Sequence, residues 1–79
     1  MAMRASSVKW VPLESSVLAS AAYSPGERQL YLEFRSGAVY RYVDVPLQQY
    51  VEFLAADSKG RYFNLSIRDR FQCQQVQSQ

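Results

Sequence analysis

No histidine occurs in the chain, and cysteine occurs once, as Cys73. Without imidazole and with one thiol, no zinc site of nitrogen and sulfur ligands can be assembled. The same scarcity removes the commonest general base and any internal disulfide, and a lone cysteine fits a reducing compartment. Glycine is limited to three residues, and none belongs to a phosphate-cradling loop. No apolar run reaches the length of a signal-peptide core or a membrane span. A cytoplasmic, bacterial-type protein without membrane attachment or cofactor is therefore expected. Net charge is also small, and +2 is too little to argue for a polyanionic partner by itself.

What is present suits one small folded unit. A chain of 79 residues buries only about 60–65% of its unfolded surface, which leaves stability marginal. The 48% hydrophobic content and 14% aromatic content are enough for a packed core and exclude global disorder. Tyrosine and phenylalanine supply much of that bulk.

Residues 1–7 are small and polar and are expected to be flexible. Val8 to Leu13 reads as a short edge strand or an extended arm, because Pro12 does not suit a central strand. Ser15 to Tyr23 reads as a strand, although its alanines would also suit a helix. "SPGE", Ser24 to Glu27, is a turn in which Pro25 fixes φ and Gly26 is expected at positive φ. Arg28 to Arg35 alternates cleanly: Leu30, Leu32 and Phe34 share one side, and Tyr31, Glu33 and Arg35 the other. "SG" then opens a hairpin into Ala38 to Val43.

The form of that hairpin decides where two tyrosines go. A two-residue loop would demand positive φ at both Ser36 and Gly37, and serine resists it. A type I turn followed by a glycine bulge demands it only at Gly37, and is the expected form. Phe34 then faces Ala38, Leu32 faces Tyr40, and Leu30 faces Tyr42. Both tyrosines join the apolar side and Arg41 takes the other. A slip of one residue would reverse all of this.

Pro46 to Ala56 has helical spacing, with Leu47, Tyr50, Val51 and Leu54 as the stripe expected to pack on the sheet. "DSKG" ends that helix, with Gly60 supplying turn freedom. "RYFNLSIRDRF" reads as a second short helix with a stripe of Phe63, Ile67 and Phe71. "QCQQVQSQ" lacks periodicity and reads as a loose polar tail over 72–79. The expected fold is α+β: a small antiparallel meander of about three strands, with a short extra N-terminal edge strand and one face covered by two C-terminal helices. Residues 8–71 form the single domain.

Signals for catalysis are nearly absent. Ser15 and Ser16 have no evident basic partner and read as a turn or strand-edge pair. Cys73 has no activating neighbour in the sequence. Tyr40 and Tyr42 are either core residues with hydroxyls at the rim or stacking platforms for bases. Arg41 suits a phosphate, a cross-strand pair with Glu33, or a cation–π contact with Tyr31. Residues 58–71 hold Lys59, Arg61, Arg68 and Arg70 against Asp69, a local +3 in a chain whose remainder is −1. Asn64 and Arg68 share a helical face. Lys59, Arg61, Asn64 and Arg68 thus form a phosphate-contact surface or an ordinary solvated helix.

The ordered strings "SSVL", "AAY", "LYLEF", "SGAVYRYVDVP" and "YVEFLAADSKGRYFNLSIRDRF" resemble the KTSC domain. That domain takes its name from the C-terminus of certain lysyl-tRNA synthetases and also occurs in small stand-alone bacterial proteins. The resemblance runs from about Val11 to Phe71. It is carried by Tyr40-Arg41-Tyr42 with Val45-Pro46, by Ser58, Gly60, Tyr62, Phe63 and Asn64, and by Ile67-Arg68. It implies RNA binding through the association with a synthetase, whereas lysine activation does not carry over. The expectation is a non-enzymatic module for RNA or another single-stranded nucleic acid, acting as a monomer or weak dimer. The basic helix surface is the expected primary site, and Arg41, which the register sends to the side of the sheet away from the helices, is a secondary one. The alternative is a protein-interaction module whose exposed sheet edge pairs with a partner strand.

Overall fold

Leu30, Leu32 and Phe34 commit one side of their strand to the interior, and the sheet is organised around that strand. The computed structural model describes residues 9–76; residues 1–7 of the expected flexible N-terminus lie outside it. Five strands form one antiparallel sheet in the order β1-β2-β3-β4-β5. They are β1 (Val11–Pro12), β2 (Leu18–Ser24), β3 (Gln29–Phe34), β4 (Val39–Tyr42) and β5 (Cys73–Val76). Helices α1 (Leu47–Ala55) and α2 (Lys59–Tyr62) lie between β4 and β5 in sequence. The second helix continues as a π-helical stretch, Phe63–Ile67, where the Arg68 N–H donates to the Phe63 carbonyl at 2.8 Å.

The β3–β4 hairpin has the expected form. The Gly37 N–H donates to Phe34 O at 2.8 Å, the Phe34 N–H donates to Ala38 O at 2.8 Å, and Gly37 has φ 102°. Leu30 faces Tyr42, Leu32 faces Tyr40, and Tyr31 faces Arg41. The β2–β3 turn differs from expectation. The Glu27 N–H closes on Ser24 O at 3.2 Å, and the positive φ falls on Arg28, at 56°, not on Gly26. A four-residue connection can keep its first residues right-handed, so the left-handed step comes where the chain re-enters β3. Strand β2 also begins later than Ser15, whose hydroxyl accepts the N–H groups of Val17 and Leu18 at 3.1 Å each. That serine caps a turn before the strand.

Three further expectations are corrected. The polar tail is not loose over Cys73–Val76: this segment is β5, paired residue by residue with β4. Its side chains are mostly exposed, so no hydrophobic alternation marks it, and it is recruited by the backbone ladder and by a side-chain bond from Arg41 to Gln74. Residues 77–79 of that tail lie outside the described chain. Gly60 sits inside α2, which Ser58 begins by accepting the Arg61 N–H at 3.3 Å. The buried face of α1 is centred on Phe53, at 0% exposure, while Leu47 and Val51 are each 54% exposed. Tyr50 and Leu54 fit both faces at helical spacing, and the larger aromatic ring takes the interior. Tyr50 stacks on Tyr23 with centroids 5.0 Å apart, and Phe53 packs near Tyr62 at 6.0 Å.

The main core cluster lies between the sheet and the helices. Leu18, Ala21, Tyr23, Leu30, Leu32 and Tyr42 come from the sheet, Val45 from the loop, and Phe53, Phe63 and Ile67 from the helices. Phe63 and Ile67 are buried and Phe71 packs partly against them, as the spacing predicts. The Tyr23 hydroxyl donates to the Val45 carbonyl, tying the β4–α1 loop to β2. The Tyr62 hydroxyl donates to Glu52 at 3.1 Å and accepts from Gln49 at 2.9 Å, tying α2 to α1. Two outcomes follow. Phe53→Ala should lower unfolding free energy by about 3–5 kcal/mol, whereas Val51→Ala should change it by about 0.5 kcal/mol or less in urea melts. Gly37→Val should cost about 1–3 kcal/mol from backbone strain alone, because nothing lies within 4 Å of an added Cβ.

Candidate nucleic-acid interface

Alternate residues of the β4 hairpin arm, Ala38, Tyr40 and Tyr42, project toward the helices because strand side chains alternate. Across from them, Ser58, Arg61, Asn64 and Arg68 recur along the second helix at three- and four-residue spacing. Together they wall a groove of about 890 Å³. Ser16, Val17 and Ser36 also line it, as do Asp69 and Cys73. Phe34 and Phe63 form its floor.

The floor is an aromatic cluster in edge-to-face contact. Phe34 meets Tyr40 at 5.8 Å and Phe63 at 5.5 Å, and Phe63 meets Tyr42 at 5.8 Å. Each such contact is worth about 0.5–1.5 kcal/mol beyond area burial, so the groove floor is also structural. Tyr42 is buried at 4% exposure, while Tyr40 is half-buried. The two tyrosines are therefore packing residues, and Tyr40 is the less deeply buried of the two. Burial pushes the Tyr42 phenol well above its ordinary range, the adjoining Cys73 thiol and Tyr40 add to this, and Arg68 pulls it back. The Tyr42 hydroxyl stays a neutral donor at physiological pH.

The residues predicted for phosphate contact divide into three groups. Arg61, Asn64 and Arg68 are exposed on the groove wall, and the Arg68 guanidinium donates to the Asn64 amide oxygen at 3.4 Å. Lys59 does not join them: its ammonium donates to the Ala56 carbonyl at 2.9 Å, closing the end of α1. Arg41 lies on the opposite side of the sheet, opposite Tyr31, where it donates to the Gln74 side chain. Glu33 is taken by the Ser20 hydroxyl at 2.8 Å instead of by Arg41. Sequence reasoning missed Phe34, Ser16, Ser36 and Cys73 as groove residues. Phe34 reads as core from its alternation, and the serines arrive from separate loops with no shared pattern.

The fold is that of a KTSC domain. The KTSC domain model matches residues 14–71, and the chain belongs to that family. It is 43% identical over 60 residues to a protein of Tsukamurella paurometabola, covering 76% of this chain and 90% of that one. It is 40% identical over 63 residues to a lysine–tRNA ligase of a Nostoc species, covering 80% of this chain but 11% of the ligase. The crystal structure of a KTSC domain protein from Yersinia pestis superposes with a TM-score of 0.86 at 34% identity. That match covers 89% of this chain and 99% of the other. No helix among the described residues is long and apolar enough to cross a membrane.

Titration of the groove has a clear sign. A phenol held above its ordinary value of 10.0 in the folded state stabilises the fold fully below that pH, and the contribution is lost as pH rises beyond it. Chain stability should therefore fall above about pH 10, and Tyr42→Phe should make that fall shallower in pH-dependent denaturation.

Proposed function

We propose that this KTSC domain is a non-enzymatic nucleic-acid-binding module that prefers RNA and uses the groove between β4 and the second helix. The observation that carries this reading is the pairing of unlike walls. Arg61, Asn64 and Arg68 offer donors for phosphate and base oxygens, and Phe34 and Tyr40 face them with aromatic surface. Phosphate contacts position a strand while aromatic contact holds its bases. Relatives in which a matching region lies inside a lysine–tRNA ligase support the choice of RNA. Lys59 and Arg41 are removed from the primary surface, since both are committed elsewhere.

A second reading draws on β5. It is the last strand of the sheet, and its Cys73, Gln74 and Gln75 are exposed, so its outer edge could accept a partner protein's strand. An NMR titration of the full chain with short RNA, single-stranded DNA and duplex distinguishes the two. RNA binding through the groove should shift Arg61, Asn64 and Arg68 resonances and weaken steeply with salt. Arg61→Ala and Arg68→Ala should each weaken binding by about tenfold and leave the melting temperature nearly unchanged. If both variants bind as the parent does, the groove is not the site. Salt-insensitive binding of a protein partner, with shifts confined to Cys73–Val76, would favour strand addition.

A further inference from the structure

We infer that the groove takes a short, extended single strand laid along β4, with two of its phosphates on Arg61 and Arg68 and a base against Phe34 and Tyr40. This deepens the nucleic-acid reading and rests on it. Residues of both walls line the one groove. Ala38 to Tyr42 spans about 13 Å at roughly 3.3 Å per strand residue. Arg61 and Arg68 lie at either end of the π-helical stretch Phe63–Ile67. Both arginines are exposed and both line the groove, so one extended strand can meet them in succession.

The chemistry of the walls excludes a duplex as the preferred ligand. A duplex keeps its base faces stacked inside, so it could reach the arginines but would leave the aromatic wall unused. A single strand splays bases away from phosphates and can touch both walls at once. Tyr42 is too deeply buried to stack and contributes only its hydroxyl. Phe34 and Tyr40 are only partly buried and carry the base contact. Asn64 lies between the arginines with its oxygen engaged by Arg68, which leaves its amide hydrogens for acceptors on the strand. Asp69, beside Arg68, places a negative charge at that end of the phosphate track.

Two phosphate contacts also fix a salt dependence. On a single strand each contributes a slope of about −0.7 in log K against log salt, giving about −1.4 in all. The test titrates the isotopically labelled full chain with uridine oligonucleotides from mononucleotide to octanucleotide, and with an RNA duplex of octamer length, over a salt series. Affinity should rise with the first added nucleotides and level off before the octamer. The slope should lie near −1.4, falling to about −0.7 in Arg68→Ala. The duplex should bind about tenfold more weakly, which is the share carried by base stacking. Resonances of Phe34, Tyr40, Arg61, Asn64 and Arg68 should shift in the parent chain, so the outcome does not depend on any variant folding. Equal binding of duplex would overturn the single-strand assignment, and affinity that keeps climbing through the octamer would overturn the short site, while nucleic-acid binding stood in either case. Absence of any shift with every probe at low salt would remove both.

Discussion

The left-handed conformation of Gly37 is the constraint on which the rest of the molecule turns. Because one glycine absorbs the positive φ, the β3–β4 loop closes in the register that puts Tyr40 and Tyr42 on the helix side. Arg41 is thereby sent to the opposite face, and the charge pattern of the domain follows from that. A shift of one residue would bury the arginine and expose both rings, at a cost no domain of this size could carry.

From that register the groove and the core become one structure. The Tyr42 ring meets Phe63, which also meets Phe34, and this cluster fixes the distance between β4 and the second helix. The π-helical stretch puts Phe63 and Ile67 inside while Asn64 and Arg68 remain outside. A segment of this kind often marks a functional position. Rigid aromatic floor and exposed basic wall therefore belong to the same few residues. The wall is held in place by packing, and its charged ends remain available to a partner.

Much of this is legible in the sequence where one residue type decides an outcome. Serine's resistance to positive φ at position 36 selects the hairpin form, and with it the placement of Tyr40, Arg41 and Tyr42. Alternation marks β3, and the spacing of Phe63 and Ile67 marks the second helix. The face of α1 is not legible, because Leu47 with Val51 and Tyr50 with Phe53 satisfy helical spacing equally well. Strand β5 is hidden because glutamines on an exposed edge carry no hydrophobic period. Lys59 reads as a surface cation because its partner is a backbone carbonyl, which no residue pattern reports. The groove itself draws Ser16, Ser36 and Ser58 from three loops distant in sequence, so only the folded chain assembles it.

The central claim is that bases lie against the aromatic wall of the groove, on the helix side of the sheet. Photo-crosslinking with a short RNA carrying 4-thiouridine, followed by mass spectrometry of the adducts, addresses it directly. Adducts should map to Phe34 or Tyr40, with Tyr31 on the other face, and Trp10 that packs edge-on against it at 6.2 Å, unmodified. Adducts confined to Tyr31 or Trp10, with Phe34 and Tyr40 untouched, would contradict the account.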